Sequence, residues 1–337
     1  MNIAIVGATG NVGRKLLEVL EKLNFKFDQL YLIASDKSIG KKVNFKNKEY
    51  SLVGLNDFDF SKVQIAFFSA GSAIAEKWAP IASKKTIVID NSKHFRMDKD
   101  IPLIVPEVNP ESLAQYKNKN IIANANCSTI QLVLVLKPLH DKFKIKRVVT
   151  STYQSVSGGG KNHMMELEEQ TKSVLENKKI QSKNFTKQIA FNVIPHIDDF
   201  MSDGSTKEEW KMIVETKKIL DSSINLTATC VRVPVFVGHS ESVNIEFENN
   251  IDLGIIKNCL TNAPGCKVID EHKDGGYITP AEVDGDFTTY ISRIREDKTQ
   301  KNSVNIWVVS DNLLKGAALN AVQIAQLLCE KYLKEFK

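Results

Sequence analysis

A short apolar strand, a glycine-rich turn and an amphipathic helix open this chain in that order, beginning with "MNIAIVGATGNVG". Residues 3–6 are apolar, residues 7–13 form the turn, and apolar side chains then recur at helical spacing. Glycines let a backbone approach a pyrophosphate closely, and the N–H groups at a helix N-terminus stabilise its charge. A tight turn without a ligand has the same local shape, but the order of strand, turn and helix favours a dinucleotide site. The turn residues predicted to contact the cofactor are Gly7, Thr9, Gly10, Asn11, Val12 and Gly13.

The alternation of strand and helix continues through the first third of the chain. "QIAFFSAG" and "TIVIDNS" are predicted strands that end in small polar residues, and "SAIAEKWAPIASKK" between them has helical character. This order predicts a parallel, doubly wound sheet that binds ligands at the carboxyl ends of its strands. Ser69, Ala70 and Gly71 would then lie near the cofactor, although an ordinary loop would have a similar composition.

The predicted strand "LYLIA" ends where a dinucleotide-binding fold contacts the ribose of its cofactor. Asp36 could accept a hydrogen bond from the ribose 2′-hydroxyl and favour NAD. Lys37 and Ser38, with Ser35 before them, could instead hold a 2′-phosphate. We favour NADP, because further lysines follow a few residues later in "GKK".

After residue 125 the sequence changes to long β-rich segments that are separated by polar helices. The strands are predicted in "RVVTSTYQSVS", "NLTATCVRVPVF", "ESVNIEFE" and "VNIWVVSD", and the helices at residues 161–177 and 206–220. This mixture predicts an α+β domain with a mostly antiparallel sheet. A final amphipathic helix from about residue 312 is expected to pack back on the first domain. The fold class is therefore α/β: a Rossmann-type doubly wound parallel sheet formed by residues 1–125 plus 312–337, with a second α+β domain at residues 126–311.

The composition indicates a globular protein and argues against several functional classes. Of 337 residues, 42% are hydrophobic and 25% are charged, as in ordinary folded domains. The net charge of +5 is spread along the chain, so nucleic acid is not an expected partner. Five cysteines without metal-type spacing favour a reducing compartment and no metal site. The apolar runs are too short for a bilayer and no secretory segment is recognised, so we expect a cytoplasmic protein without membrane contact.

"NANCSTIQ", residues 124–131, places Cys127 between small polar residues and the apolar segment "LVLVLKP". That segment ends at Pro138 and could be a strand or a helix. If it is a helix, Cys127 lies at its first turn, where unpaired N–H groups and the helix dipole stabilise a thiolate. A small buried structural cysteine is the alternative, and it is the commoner case.

A thiolate nucleophile needs an acid or base nearby, an anchor for the substrate and donors for the oxyanion that forms when a carbonyl is attacked. His239 follows a predicted strand and a glycine in "VFVGHSES" and could face a cleft, although most histidines are surface or core residues. Arg232 lies within the apolar strand "CVRVPV", where a guanidinium is costly to bury unless it binds an anion. An internal salt bridge would satisfy Arg232 equally well.

Together these motifs resemble the aspartate-β-semialdehyde dehydrogenase family. The resemblance runs in order across nearly the whole chain, through "GATGNVG", "FRMD", "NANCSTIQ", "YQSVSGGG", "KEEWKM", "CVRVPVFVGHSES" and "DNLLKGAALNAVQIA". It implies that Cys127 is the nucleophile, that His239 is the acid/base and that Gln154 orients the acyl intermediate. The further contacts that it implies are, for the substrate, Arg232 (α-carboxylate), Glu208 (ammonium), Arg96 and Lys211 (phosphate) and Asn126, and, for the cofactor, Ser157, Gly158 and Asn312.

The activity implied by this resemblance is the NADPH-dependent reductive dephosphorylation of β-aspartyl phosphate, by a homodimer that forms through the second, catalytic domain. Two alternatives remain open. An N-acetylglutamyl-phosphate reductase would share the thiolate chemistry, but its acetylated substrate has no ammonium for Glu208. A non-catalytic nucleotide-binding homologue would have no need for Cys127, Gln154 and His239 together.

Overall fold

The computed structural model describes residues 1–333 of the chain. Two compact units are present: residues 126–316 form the second, and Met1–Ala125 with the chain from Ala317 onwards form the first. The second unit therefore extends to Gly316, beyond the boundary at residue 311 that the sequence suggests. Residues 334–337 of the predicted 312–337 segment lie outside the described residues.

The first unit contains a mainly parallel sheet. Its strands are β1 (Asn2–Val6), β2 (Gln29–Ala34), β3 (Lys42–Phe45), β4 (Lys48–Gly54), β5 (Ile65–Phe68), β6 (Ile87–Asp90), β7 (Leu103–Ile104) and β8 (Ile121–Asn124), in the spatial order β3-β4-β2-β1-β5-β6-β8-β7. Neighbouring strands are parallel except in the β3–β4 hairpin at one edge. Because β1 has β2 on one side and β5 on the other, the chain winds in both directions from β1. This arrangement confirms the doubly wound sheet.

The helices are amphipathic or largely buried. They are α1 (Asn11–Lys22), α2 (Ser72–Ala82), α3 (Cys127–Phe143), α4 (Lys161–Leu175), α5 (Lys207–Ile219), α6 (Leu253–Thr261) and α7 (Leu319–Lys331). α4 and α5 occupy the two helical stretches predicted in the second half of the chain. Within the first unit α7 packs against α1. None of the helices in residues 1–333 has both the length and the apolar character needed to cross a membrane.

The second unit contains a mixed sheet. Its strands are β9 (Ile145–Gln154), β10 (Asn225–Arg232), β11 (His239–Phe247), β12 (Cys266–Val268), β13 (Thr289–Glu296) and β14 (Ser303–Ser310), in the spatial order β10-β9-β11-β14-β13-β12. The three central pairs are antiparallel and the two outer pairs are parallel. Leu132 and Val135 of α3 join Val243 and Ile245 of β11 in one buried core. The expected α+β domain is therefore present, and α3 covers one face of its sheet.

The apolar segment after Cys127 is a helix, and it does not end at Pro138. α3 continues to Phe143 with Pro138 inside it. A proline in this position cannot donate the backbone hydrogen bond to the preceding turn. Leu139 and Phe143 nevertheless continue the buried face of the helix and belong to the core of the second unit. Their packing stabilises the last turn.

The helix predicted from about residue 312 begins later than expected. Leu314–Ala318 form one π-helical turn, and the α-helix starts at Leu319. The Asp311 carboxylate accepts hydrogen bonds from the backbone N–H groups of Leu313 and Leu314 at 2.8 and 3.1 Å. These contacts turn the chain directly after β14, so the residues around position 312 form a loop.

Candidate active site

Three of the predicted cofactor loops follow neighbouring parallel strands of the first unit. Ser35, Gly7 and Ser69 come directly after the carboxyl ends of β2, β1 and β5, which lie side by side. The Ser69 hydroxyl donates a hydrogen bond to the Val6 carbonyl at 3.1 Å, which links two of the loops. The winding direction of the sheet reverses at this edge, and open α/β sheets bind ligands at such a position.

Two glycines of the turn, Gly7 and Gly13, are packed too closely to be replaced by a residue with a side chain. Gly7 has a φ of +89°, and a Cβ on it would lie 2.7 Å from the Ser69 carbonyl oxygen. A Cβ on Gly13 would lie 2.2 Å from the Gly7 carbonyl oxygen. No side chain caps α1 at Gly10, and the N–H groups of a first helical turn have no acceptor within the helix. This shape and the helix dipole suit the pyrophosphate of a dinucleotide.

Gly13→Ala is expected to destabilise the first unit by about 1–3 kcal/mol, because the added methyl group would overlap the Gly7 carbonyl. Thermal unfolding without nucleotide measures this effect, and a nucleotide titration should show weaker binding. Gly10→Ala is the matched control for unfolding, because its Cβ would approach the nearest atom only to 3.4 Å and its φ is −75°. Equal unfolding midpoints for Gly13→Ala and the wild type would contradict this packing argument.

The other predicted cofactor residues of the first unit lie at the surface of these loops. Lys37 and Ser38 belong to a short 3₁₀ turn, Asp36–Ser38, directly after Ser35. Side chains at such positions can contact a ligand without disturbing the core. The exposed residues are Thr9, Gly10, Ser35, Lys37, Ala70 and Gly71, and the half-buried ones are Asn11, Val12, Ser38 and Ser69.

Cys127 is the first residue of α3, and Asn126 caps that helix. The Asn126 side-chain oxygen accepts hydrogen bonds from the N–H groups of Ser128 and Thr129 at 3.0 and 3.2 Å. The half-buried thiol therefore lies at the positive end of the helix dipole, a position that stabilises a thiolate. A Cβ on Gly316 would lie 2.8 Å from the Cys127 Cβ, so glycine at this position leaves room for the cysteine.

Glu208 is the centre of a buried polar group. Its Oε1 accepts hydrogen bonds from the side-chain amides of Asn126 at 2.9 Å and Gln154 at 3.1 Å, and its carboxylate forms an ion pair with Lys211. Burial alone would raise the pKa of Glu208, but the Lys211 ammonium and the two amides together lower it to about 2. Glu208 is therefore ionised at neutral pH, as a carboxylate must be to bind an ammonium group.

Lys211 lies one turn after Glu208 on α5 and has a second carboxylate partner. Its ammonium is 3.1 Å from Asp198, a residue that the sequence did not single out. Glu208 and Lys211 are expected to bind different groups of the substrate, yet in this structure they bind each other. In the absence of substrate, the ammonium of Lys211 therefore compensates the charge of the Glu208 carboxylate.

His239 is fully buried and is held in one tautomer by the backbone. Its Nδ1 accepts a hydrogen bond from the Ser155 backbone N–H at 3.0 Å, so the proton of the neutral ring is on Nε2. The Gln154 amide nitrogen is 3.5 Å from Nε2, too far to fix the opposite tautomer. Burial, together with the nearby Arg232 guanidinium, lowers the pKa of His239 to about 3. The ring is therefore a neutral donor through Nε2.

Ser155 is a residue of this site that the sequence did not single out. Asn312 accepts hydrogen bonds on its Oδ1 from the hydroxyls of Ser155 and Ser157 at 3.0 and 3.2 Å, and from the backbone N–H of Gly238 at 2.9 Å. This network joins the loop after β9 to the residue before His239. The one available sequence signal was the position of Ser155 within "YQSVSGGG".

Arg232 ends β10 with only 8% of its surface exposed. Its Nη1 donates a hydrogen bond to the Ser155 carbonyl at 2.6 Å. A Cβ on Gly158 would lie 3.2 Å from both Arg232 Nη1 and His239 Nε2, so the glycine leaves space between these two groups. Arg232 also lines a cavity of about 390 Å³. A guanidinium with one N–H bound to a carbonyl keeps further donors for a carboxylate.

Arg96 belongs to the first unit. Its Nε donates to the Asn124 carbonyl at 2.8 Å and its Nη2 donates to the Asn91 carbonyl at 3.1 Å. Asn124 is the last residue of β8, from which the chain continues directly to Asn126 and Cys127. The structure thus connects Arg96 to the strand end before the nucleophile, whereas the other predicted substrate residues belong to the second unit.

Two family models match this chain. The model described as "Semialdehyde dehydrogenase, NAD binding domain" matches residues 2–116. The model described as "Semialdehyde dehydrogenase, dimerisation domain" matches residues 136–315. The first match covers the glycine turn and strands β1 to β7 of the doubly wound sheet, and the second covers the mixed sheet with Gln154, Arg232 and His239.

Relatives of known name cover nearly the whole chain. A protein from Rickettsia bellii named aspartate-semialdehyde dehydrogenase is 51% identical over 333 residues, 98% of each chain. The crystal structure of aspartate semialdehyde dehydrogenase II from Vibrio cholerae, complexed with ASA, has a TM-score of 0.96 and 47% identity, with 98% of each chain covered. Aspartate semialdehyde dehydrogenase with NADP from Candida albicans has a TM-score of 0.73 and 26% identity, with 97% of this chain and 98% of that chain covered. The chain therefore belongs to the aspartate-semialdehyde dehydrogenase family.

Proposed function

We propose that this chain reduces L-aspartyl-4-phosphate to L-aspartate 4-semialdehyde and phosphate, with NADPH as the reductant and Cys127 as the nucleophile. The product is a precursor in the biosynthesis of lysine, threonine, methionine, isoleucine and diaminopimelate. The observation that carries this proposal is the position of Cys127 at the start of α3, next to Asn126, which binds the ionised Glu208. Asn126 thereby connects the nucleophile Cys127 to Glu208, the carboxylate proposed to bind the substrate ammonium.

The first half of the reaction needs a thiolate and a leaving phosphate. The Cys127 thiolate attacks the acyl carbon, the carbon–sulfur bond forms, the bond from carbon to the phosphate oxygen breaks, and phosphate leaves with its electron pair. The helix dipole stabilises the thiolate before attack. Arg96 and Lys211 are the residues proposed to bind the phosphate, which would compensate for the charge that it carries away.

The second half converts the thioester to an aldehyde. The nicotinamide cofactor, when bound, supplies the hydride that reduces the thioester carbonyl. His239 holds a proton on Nε2 and donates a hydrogen bond from it to the oxygen that becomes negative, until the carbonyl re-forms and the carbon–sulfur bond breaks. The thiolate of Cys127 is regenerated in that step, so His239 and Cys127 end in the states in which they began. Gln154 is proposed to orient the acyl group.

The substrate is proposed to be held by opposite charges at its amino-acid end. Arg232 would bind the α-carboxylate through two parallel N–H donors, and Glu208 would bind the α-ammonium. An N-acetylated substrate has no ammonium, so binding it would leave the buried Glu208 carboxylate without a cationic substrate partner. This argument favours the aspartyl substrate over an N-acetylglutamyl one.

The reverse reaction tests this proposal: phosphate-dependent reduction of NADP by aspartate semialdehyde. We expect turnover of this aldehyde and none of N-acetylglutamate semialdehyde. Glu208→Gln should raise KM for the aldehyde roughly 10–100-fold, because a charged hydrogen bond contributes about 1.5–3 kcal/mol. Glu209→Gln is the control on the same helix: glutamine can keep the capping box with Thr206, and the contact that it changes is the hydrogen bond from the Cys230 backbone N–H to Glu209. Turnover of only the acetylated aldehyde would identify a reductase of that substrate, and no turnover of either would leave a nucleotide-binding protein.

NADP is proposed as the preferred cofactor. Lys37 and Ser38 lie in the exposed turn after β2, where a 2′-phosphate would lie in a fold of this kind. NADP is also the cofactor in the Candida albicans relative. The residues proposed to hold the nicotinamide end are Ser157, Gly158 and Asn312. Repeating the reverse reaction with NAD measures the preference, and equal kcat/KM for both cofactors would contradict it.

Assembly and location complete the proposal. We propose a homodimer that forms through the second unit, which the family model for a dimerisation domain supports. In this organisation the first unit binds the dinucleotide and the second carries catalysis. We further propose a cytoplasmic location, in keeping with five cysteines of which none forms a disulfide.

A further inference from the structure

A buried carboxyl group that the proposed reaction does not use lies on the strand that begins with His239. Glu241 has 0% of its surface exposed, and neither of its carboxyl oxygens has a hydrogen-bond partner among the described residues. The amide oxygen and nitrogen of Gln131 are likewise buried and meet no partner there in good hydrogen-bonding geometry, although the Gln131 side chain faces Glu241. Unpaired buried polar atoms cost free energy, so two such groups in one region call for a physical explanation.

Glu241 and Gln131 each follow a proposed catalytic residue on the same element and lie on the same face of that element. Glu241 is the second residue after His239 on β11, so both side chains point to the same face of the sheet. Gln131 is one helical turn after Cys127 on α3. α3 packs against β11 on that face, and its next residue, Leu132, shares a buried core with Val243.

The surroundings of Glu241 are uncharged. Its partners in the register are Thr152 on β9 and Val308 on β14, and Gln131 faces it from α3. Of the titratable residues on these elements and on β10, His239 is neutral, burial raises the pKa of the Cys230 thiol, and Cys127 lies one helical turn before Gln131 on α3. Burial raises the pKa of Glu241 well above its ordinary value, and the Gln131 side chain opposes this only in part.

We propose that Glu241 keeps its proton at neutral pH and that its neutral acid group pairs with the Gln131 amide, which holds the first two turns of α3, and with them Cys127, on the sheet. A carboxylic acid has one donor and one free acceptor, and a primary amide has the complementary set. A carboxylate offers only acceptors, so it could bind the amide nitrogen but not the amide oxygen. Glu241 and Gln131 are thus positioning residues for the nucleophile; only this role, not the protonation, rests on the proposed function.

Protonation of Glu241 makes a specific prediction for stability against pH. In the unfolded chain a glutamate loses its proton near pH 4.3, whereas the native protein keeps it. The native state therefore binds one proton more, and stability falls as pH rises above the unfolded pKa until Glu241 ionises in the native state as well. Glu241→Gln removes this dependence of stability on pH, because glutamine is neutral in both the native and the unfolded state.

The experiment measures the equilibrium constant for unfolding in denaturant, at one protein concentration, from pH 5.5 to 8.5. The wild-type constant divided by the Glu241→Gln constant should increase about tenfold per pH unit. Glu246→Gln on the same strand is the control: Glu246 pairs with Lys146 at 2.7 Å and its pKa is lowered, so its ratio should not change with pH. If the amide variant does not fold, Glu241→Met should give the same pH dependence. A constant ratio for the Glu241 variant would show that Glu241 is ionised and overturn the proposal.

The positioning role has its own readout, the rate of Cys127 alkylation and the kcat of the reverse reaction as functions of pH. Glu241→Gln should have the wild-type kcat at pH 7. At alkaline pH the wild type should lose activity first, because an ionised Glu241 would raise the energy of the Cys127 thiolate, whereas glutamine stays neutral. Gln131→Met, which leaves the acid without its amide, should lower kcat more than KM and slow alkylation. Unchanged kcat and an unchanged alkylation rate in Gln131→Met would overturn the positioning role. The protonation of Glu241 is tested separately by the unfolding experiment, which does not depend on turnover.

Discussion

Cys127→Ser is expected to reduce kcat of the phosphate-dependent reverse reaction by ~10⁴-fold or more, the scale seen when a covalent nucleophile is removed. A serine hydroxyl keeps the size of the thiol, but the helix dipole contributes only about 1 kcal/mol and cannot ionise it at neutral pH. Steady-state assays with aspartate semialdehyde, NADP and phosphate measure the loss. An acyl-enzyme trapped from wild type by acid quenching should be missing from the variant.

The control for this variant is Cys259→Ser, the same change at another half-buried thiol, on α6. Cys259 partly packs against the core of the second unit and has no role in the proposed chemistry. We expect its kcat to stay within about twofold of wild type, with a stability change of at most about 1 kcal/mol. Retention of wild-type kcat by Cys127→Ser would show that another group forms the covalent intermediate.

His239→Gln is expected to lower kcat by ~10²–10³-fold, the range for loss of one hydrogen-bond donor to a developing oxyanion. Because the pKa of His239 is about 3, the ionisation of this residue should cause no rise or fall in wild-type kcat between pH 5 and 9. The helix dipole, and not His239, stabilises the Cys127 thiolate for the first half of the reaction, so the burst of phosphate released from aspartyl phosphate should persist in the variant. Rapid-quench measurement of phosphate in a single turnover distinguishes the two halves.

His140→Gln is the control for the histidine variant. His140 is also buried, and its Nδ1 also accepts a backbone hydrogen bond, from Ile145 at 3.1 Å, but it lies near the far end of α3 from Cys127. Its loss should change stability and leave kcat near the wild-type value. Loss of the phosphate burst in His239→Gln would mean that His239 is needed to form the thioester, which would contradict its assignment to the second half of the reaction.

Much of the architecture could be predicted because it depends on local chemistry. The glycine turn at residues 7–13, the alternating strands and helices after it and the β-rich second half are all visible as periodic patterns. The course of the chain near Pro138 and residue 312 could not be predicted, because packing decides both. Leu139 and Phe143 are buried in the core and keep α3 helical past a proline, and Asp311 binds the next N–H groups and delays the last helix.

The sequence by itself determined the residue types of the site and the family to which they point: a cysteine before an apolar segment, a histidine after a glycine, and an arginine in an apolar strand. Only the tertiary structure decided which atoms of these residues can act. The contact of Ser155 with His239 Nδ1 and the contact of Asn126 with Glu208 join residues far apart in the chain, and packing of the elements buries Glu241. Protonation depends on burial and on such neighbours, and these exist only once the elements have packed together.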